Sequence, residues 1–152
     1  MKTPRRLVIA VTGTPGTGKT TFSRALCRHL SAELFDLNQF IDSTGIYRLD
    51  DEGTKVVDIR KMRSGFRKTI RDLQGHVIVD GLLSHFLPSD VITHVVVLRA
   101  HPRVLEKRLK RRGFEGKKLE DNLEAEALDV VLWEAVENHG VLKVYEIDTT
   151  RA

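Results

Sequence analysis

The chain lacks the marks of several protein classes. Only one of its 152 residues, Cys27, is a cysteine, which excludes an internal disulfide and fits a reducing, cytoplasmic setting. As a lone thiol on a helical apolar face, Cys27 reads as core rather than nucleophile. No uninterrupted apolar stretch approaches the roughly 20 residues of a bilayer-spanning helix, so no membrane partner is expected. The basic start, MKTPRR, runs into a short β-branched stretch with no small-residue cleavage site, which argues against a secretory signal. There is no internal repeat and no low-complexity linker, and the length suits one domain over residues 1–152.

What is present is ordinary for a soluble domain: 41% hydrophobic and 30% charged residues. The net charge of +4 is compatible with anionic partners but too small to specify one. Its distribution says more. Basic residues crowd the stretch from Arg99 to Lys118, and acidic ones the stretch from Glu120 to Glu137.

Strand and helix patterns alternate. Leu7–Val11, Leu34–Leu37, His76–Asp80, Thr93–Leu98 and Leu142–Ile147 read as strands, mostly with the continuous β-branched character of strands buried on both faces. Lys19–Leu30, Val56–Leu73, Arg103–Lys110 and Leu119–Glu137 read as helices, and residues 38–53 as a mobile connection. Such alternation predicts an α/β fold with a parallel sheet covered on both faces, and ligands bound outside the carboxyl ends of its strands.

One stretch carries chemistry at that end of the first strand. GTPGTGKTTF, residues 13–22, has the spacing Gly13-x-x-x-x-Gly18-Lys19-Thr20 of a phosphate-gripping P-loop. Gly13, Gly16 and Gly18 let the backbone amides curl inward, and the helix starting near Lys19 adds its positive dipole end. Lys19 is the candidate bridge between the β- and γ-phosphates of a nucleoside triphosphate, and the Thr20 hydroxyl a ligand for Mg²⁺. Asp80, ending HVIVD, is a candidate Mg²⁺ carboxylate, the alternative being a cap for the turn at Gly81. Arg108 and Arg112, four residues apart, are candidates to stabilise charge on a migrating phosphoryl group, with Gly113 and Gly116 bracketing a hinged lid. Arg60, Arg63, Arg67 and Arg71 recur at helical spacing. They form either a solvated face or one that contacts phosphate or RNA, and no aromatics interleave to stack bases.

GTPGTGKTT, VIVDGLLSHFLP, VLRAHPRVLEKRLKRRGFEGKKLEDNLEAEALDV and YEIDTT together resemble the small adenylate kinase-like NTPases. This group contains adenylate kinase isoenzyme six and its archaeal relatives, which are also ribosome-assembly factors. The RRGF-x-x-x-K-L-x-x-N-x-x-x-E pattern is more diagnostic than the phosphate loop, and the likeness covers nearly the whole chain. The resemblance implies an adenylate kinase-like three-layer α/β/α fold with five parallel strands in the order 2-3-1-4-5. It also implies a monophosphate-binding segment at about 36–59 and a short lid at about 111–121. Gly16, Gly18, Lys19, Thr20 and Thr21 match the family's ATP-phosphate residues, and Arg112 its lid arginine. The implied reaction is ATP and AMP to two ADP with Mg²⁺, accompanied by slow ATP hydrolysis. The implied partners are a small-subunit ribosomal protein and pre-ribosomal RNA. Two departures stand out. The family's Asp-x-His after the third strand is here Asp80-Gly81-Leu82, with His85 the nearest histidine. The helix after Val57 is basic where the family is acidic. An ATPase assembly factor with little kinase activity is the alternative; a kinase for a metabolite such as shikimate would share the architecture.

Overall fold

The structure is a computed structural model and describes residues 5–152; the start of the basic segment, residues 1–4, lies outside the described residues. In chain order the strands are β1 (Val8–Gly13), β2 (Glu33–Asp36), β3 (Tyr47–Leu49), β4 (Lys55–Val57), β5 (Val77–Asp80), β6 (His94–Arg99) and β7 (Val144–Asp148). The helices are α1 (Lys19–Leu30), α2 (Leu37–Thr44), α3 (Ile59–Asp72), α4 (Pro102–Arg111), α5 (Gly116–Ala127) and α6 (Val130–His139). Five strands form one sheet in the order β2-β5-β1-β6-β7, parallel throughout. Numbered among themselves, these strands take the expected order 2-3-1-4-5.

Strand alternation divides the apolar residues between two faces. Ile9, Val11, Ile78, Val96 and Leu98 meet Phe22, Leu26 and Leu30 of α1. Val8, Ala10, Val77, Val79, Val95 and Val97 meet Leu37 and Ile41 of α2, Met62, Phe66 and Ile70 of α3, and Val131 and Ala135 of α6. Each fully buried aliphatic or aromatic side chain contributes about 1.5–3 kcal/mol relative to exposure. Phe66 is the largest of them and meets Phe35 edge-on at 5.3 Å. A third cluster, Leu105, Leu109 and Leu119, packs α4 against α5. Cys27 is half-buried beside the α1 apolar residues, and burial raises its thiol pKa, as suits a packing residue.

The middle of the chain is more ordered than its sequence pattern predicts. Residues 38–53 are not an irregular connection: they hold α2 and the first strand of an antiparallel hairpin, β3–β4. Leu37 belongs to α2, because Asp36 ends β2 and caps that helix, its Oδ1 accepting from the Gln39 amide at 3.1 Å. Val56 and Val57 lie in β4, and α3 starts at Ile59 with Asp58 as its cap. The helix expected over Leu119–Glu137 is broken in two. Arg99 draws out the Glu126 carbonyl at 3.0 Å and pairs with the Asp129 carboxylate, and Asp129 turns to φ 58°. The basic helix face is also partly spent. Arg63 donates to the Phe86 carbonyl at 2.6 Å and Arg67 grips Asp90, which leaves Arg60 and Arg71 as the exposed pair.

Two buried histidines tie the segment after β5 to the core. His85, 1% exposed, sits 2.8 Å from the Thr12 hydroxyl through Nδ1 and 3.1 Å from Glu134 through Nε2. His139 donates from Nε2 to the His85 carbonyl at 2.8 Å, and its Nδ1 has no partner among the described residues. Burial pushes both pKa values below the usual 6.5, although Glu134 opposes the shift at His85. A lowered folded-state pKa means the unfolded chain binds more protons below pH 6.5. Stability should therefore hold above about pH 6.5 and fall as the pH drops below it. Melting temperatures measured between pH 7.5 and 5 should show that fall, and His139→Gln should flatten it; equal slopes in both proteins would remove His139 from the effect.

Candidate phosphate-binding site

The loop between β1 and α1 is shaped by contacts on three sides. At Gly13 the backbone has φ 149°, and a Cβ there would lie 2.7 Å from the Leu98 carbonyl oxygen, so only glycine fits. Gly18, at φ 91°, starts α1 without a side-chain cap, which leaves the first-turn amides free to meet an anion. The Thr14 hydroxyl donates to Glu126 at 2.9 Å. The Thr149 hydroxyl lies 2.8 Å from the Thr17 carbonyl.

Lys19 Nζ rests on the Gly13 carbonyl at 2.9 Å and the Thr14 carbonyl at 3.4 Å. Desolvation lowers its pKa to about 8; Asp80 and Glu126 oppose that shift, and Arg112 adds to it. The Thr20 hydroxyl donates to Asp80 Oδ2 at 2.9 Å. The structure thus joins the two ends of the expected metal site. They are hard oxygen donors. Among the described residues no group of three or more His, Cys, Asp or Glu side chains could hold a metal. An ion here would complete its shell with phosphate oxygens and water, which suits Mg²⁺.

Lys19, Thr20, Thr21, Gly16, Gly18, Asp80 and Arg112 all face one cavity of about 520 Å³. Asp36, Asn38 and Leu82 line it as well. A neighbouring cavity of about 440 Å³, lined by Gly16, Thr21, Phe22, Ala25 and Thr149, is largely apolar and could receive a flat ring. A third, of about 330 Å³, lies at the hairpin with Tyr47, Arg48 and Lys61.

Arg108 departs from expectation. Its guanidinium donates to the Thr149 carbonyl at 2.6 Å and the Gly16 carbonyl at 3.2 Å, so it braces the turn after β7 against the loop and does not line the cavity of Lys19 and Arg112. Arg112, the cap of α4, lines the cavity that holds Lys19, whereas Arg108 lines the neighbouring apolar one. The segment expected as the lid, about 111–121, is partly helical. Only residues 112–115 are non-helical, and residues 116–121 form the first turns of α5. His85 does not stand in for the family histidine, since it is buried against Thr12 and Glu134 while Leu82 lines the cavity.

Sequence reasoning overlooked Arg99, Asp36, Asn38 and Glu126 as site residues. For Glu126 a signal existed: it continues the apolar stripe of Leu119 and Leu123, where a carboxylate needs a buried partner.

An AAA domain family model matches residues 9–129. A "Putative adenylate kinase" of Thermococcus kodakarensis is 43% identical over 145 residues, covering 95% of this chain and 77% of that protein. One of Methanocaldococcus jannaschii is 40% identical over 144 residues, covering 93% and 76%. The chain belongs to this adenylate kinase-like family. Among solved structures, this family member resembles shikimate kinase from Bacteroides thetaiotaomicron with a TM-score of 0.63 at 22% identity, over 95% of this chain and 87% of that one. It resembles deoxyadenosine kinase from M. mycoides with a TM-score of 0.59 at 19% identity, over 94% and 91%. These likenesses establish the P-loop kinase fold.

The Lys19 pKa sets an expectation for pH. A bound polyphosphate favours the ammonium form, which the free protein holds only below about pH 8. Affinity for Mg·ATP should be level up to that pH and then decline, by at most about tenfold per pH unit. Calorimetric titration from pH 7 to 9.5 tests this; a flat profile would show that Lys19 does not meet the phosphates.

Proposed function

We propose that this protein is a nucleoside monophosphate kinase of the adenylate kinase type. It transfers the γ-phosphoryl group of Mg·ATP to AMP and hydrolyses ATP slowly when no acceptor is present. The observation that carries the reading is the convergence of Lys19, Thr20, Asp80 and Arg112 on one cavity whose β2 side is closed by Asp36 and Asn38. The names of the archaeal relatives support the adenine preference.

In this reading the loop amides and the first turn of α1 bind the phosphates of the donor. Lys19 exchanges its Gly13 and Thr14 carbonyls for β- and γ-phosphate oxygens. Thr20 and Asp80 would hold Mg²⁺, which when bound neutralises charge on the phosphates. Arg112, at the lid, stabilises the charge that builds on the migrating group. The apolar cavity beside Phe22 and Thr149 takes the donor base. The hairpin, which carries Arg48 and faces Lys61 of α3 across a cavity, belongs to the segment that closes over the acceptor. Leu82 offers no proton acceptor for an attacking water, consistent with slow hydrolysis. The lone thiol fits a cytoplasmic location.

A product assay that separates ADP from free phosphate tests this. With Mg·ATP, AMP should be used in preference to CMP, GMP or UMP. Lys19→Ala should lose on the order of 10²-fold or more in rate with an unchanged circular dichroism spectrum. Equal use of all monophosphates would sink the adenine preference. Phosphate release that ignores every monophosphate would favour the second reading, an ATPase that assists small-subunit maturation with a ribosomal protein and RNA as partners. The exposed Arg60 and Arg71 are what support that reading. Under it, Arg60→Gln with Arg71→Gln should lower the log–log salt slope of RNA binding by about one unit per lost contact.

A further inference from the structure

Glu126 sits near the end of α5, 4% exposed, and does not line the phosphate cavity. A buried carboxylate is costly unless its oxygens are satisfied. Both are. Oε1 accepts from the Thr14 hydroxyl at 2.9 Å; Oε2 accepts from the Ala100 amide at 2.9 Å and Arg99 Nε at 3.1 Å. Thr14 is 1% exposed. Its carbonyl accepts from the Thr17 hydroxyl at 2.8 Å and the Thr17 amide at 3.2 Å, and lies 3.4 Å from Lys19 Nζ. One hydroxyl therefore ties the peptide that starts the loop to a carboxylate fixed from two other directions.

A purely structural role for Glu126, neutralising Arg99, accounts for less of this. Arg99 already pairs with Asp129 and Glu146. An apolar residue at position 126 would extend the Leu119–Leu123 stripe and avoid the desolvation cost. Only a carboxylate accepts from Thr14, Ala100 and Arg99 together.

We propose that Glu126 is a positioning residue for the phosphate loop. Acting through Thr14, it holds the Gly13–Thr14 backbone in the shape that receives a triphosphate. Because it rides on α5, which begins directly after the lid turn, it also ties lid and loop to one support. The proposal rests on the reading of the cavity as a triphosphate site.

The test reads binding, not turnover. Inorganic tripolyphosphate and Mg·ATP are titrated into wild type, Thr14→Val, Thr14→Ser, Glu126→Gln and the Thr14→Val/Glu126→Gln double variant, with melting temperatures recorded in parallel. Thr14→Val should weaken tripolyphosphate binding by about tenfold or more, the scale of a lost charged hydrogen bond. Thr14→Ser, which keeps the hydroxyl, should recover most of that loss. The double variant should bind no more weakly than the weaker single one, because, among the described residues, Glu126 hydrogen-bonds to the loop only through Thr14. Wild-type affinity in Thr14→Val, or losses that add in the double variant, would overturn the proposal. If Glu126→Gln does not fold, the Thr14→Val and Thr14→Ser pair decides alone. A wild type that binds neither ligand is a separate result, and it overturns the triphosphate-site reading itself.

Discussion

The buried pairing of Arg99 with Glu126 is the constraint on which the rest of this site depends. Arg99 ends β6 at the carboxyl edge of the sheet and reaches carboxylates on α5, on the turn before α6, and on β7. The α5–α6 junction and β7, which share no sequence neighbourhood, are thereby fixed to one strand tip. Glu126 in turn holds the loop through Thr14. Removing Arg99 would leave the buried Glu126 carboxylate without its cation, at a cost of about 3–5 kcal/mol. That is a large share of the stability of a domain of this size.

The same pairing sets the electrostatic layout. Lys19 and Arg112 face the cavity, while the carboxylates of Glu126, Asp129 and Glu146 gather around a single guanidinium away from it. The cations line the cavity and these three carboxylates lie on another side, an arrangement suited to an anionic ligand. Asp36 and Asp80 are the exceptions. Both share the cavity with the cations, and Asp80 bonds Thr20, which suits a group that would meet a divalent ion rather than a bare phosphate.

Much of this was legible in the sequence, for physical reasons that differ by element. β1, β5 and β6 are buried on both faces, and runs such as VIAV and VIVD have no other stable place in a soluble domain. The phosphate loop was legible because its backbone conformation demands glycine at fixed positions. The hairpin was not: its strands are three residues long, too short for alternation to show, and its turn is held locally by Asp50, whose Oδ1 accepts from the Glu52 and Thr54 amides. The contacts of Arg108 were hidden because Gly16 and Thr149 lie far from it in sequence, and helical spacing carries no information about them. The split of Leu119–Glu137 was hidden for a deeper reason. It is caused by Arg99, at least 20 residues upstream, and no local pattern carries that information.

The bracing of the loop by Thr149 and Arg108 has a consequence for the order in which the chain folds. Thr149 reaches Thr17 across a separation of 132 residues, and Arg108 reaches Gly16 across 92. Contacts of that separation are entropically expensive to close and form late unless something else has already brought the ends together. The loop that opens the chain's chemistry is thus finished by a strand from its far end. The loop has this support only once the turn after β7 has docked, so a ligand that needs the loop's shape would favour the assembled chain over its precursors.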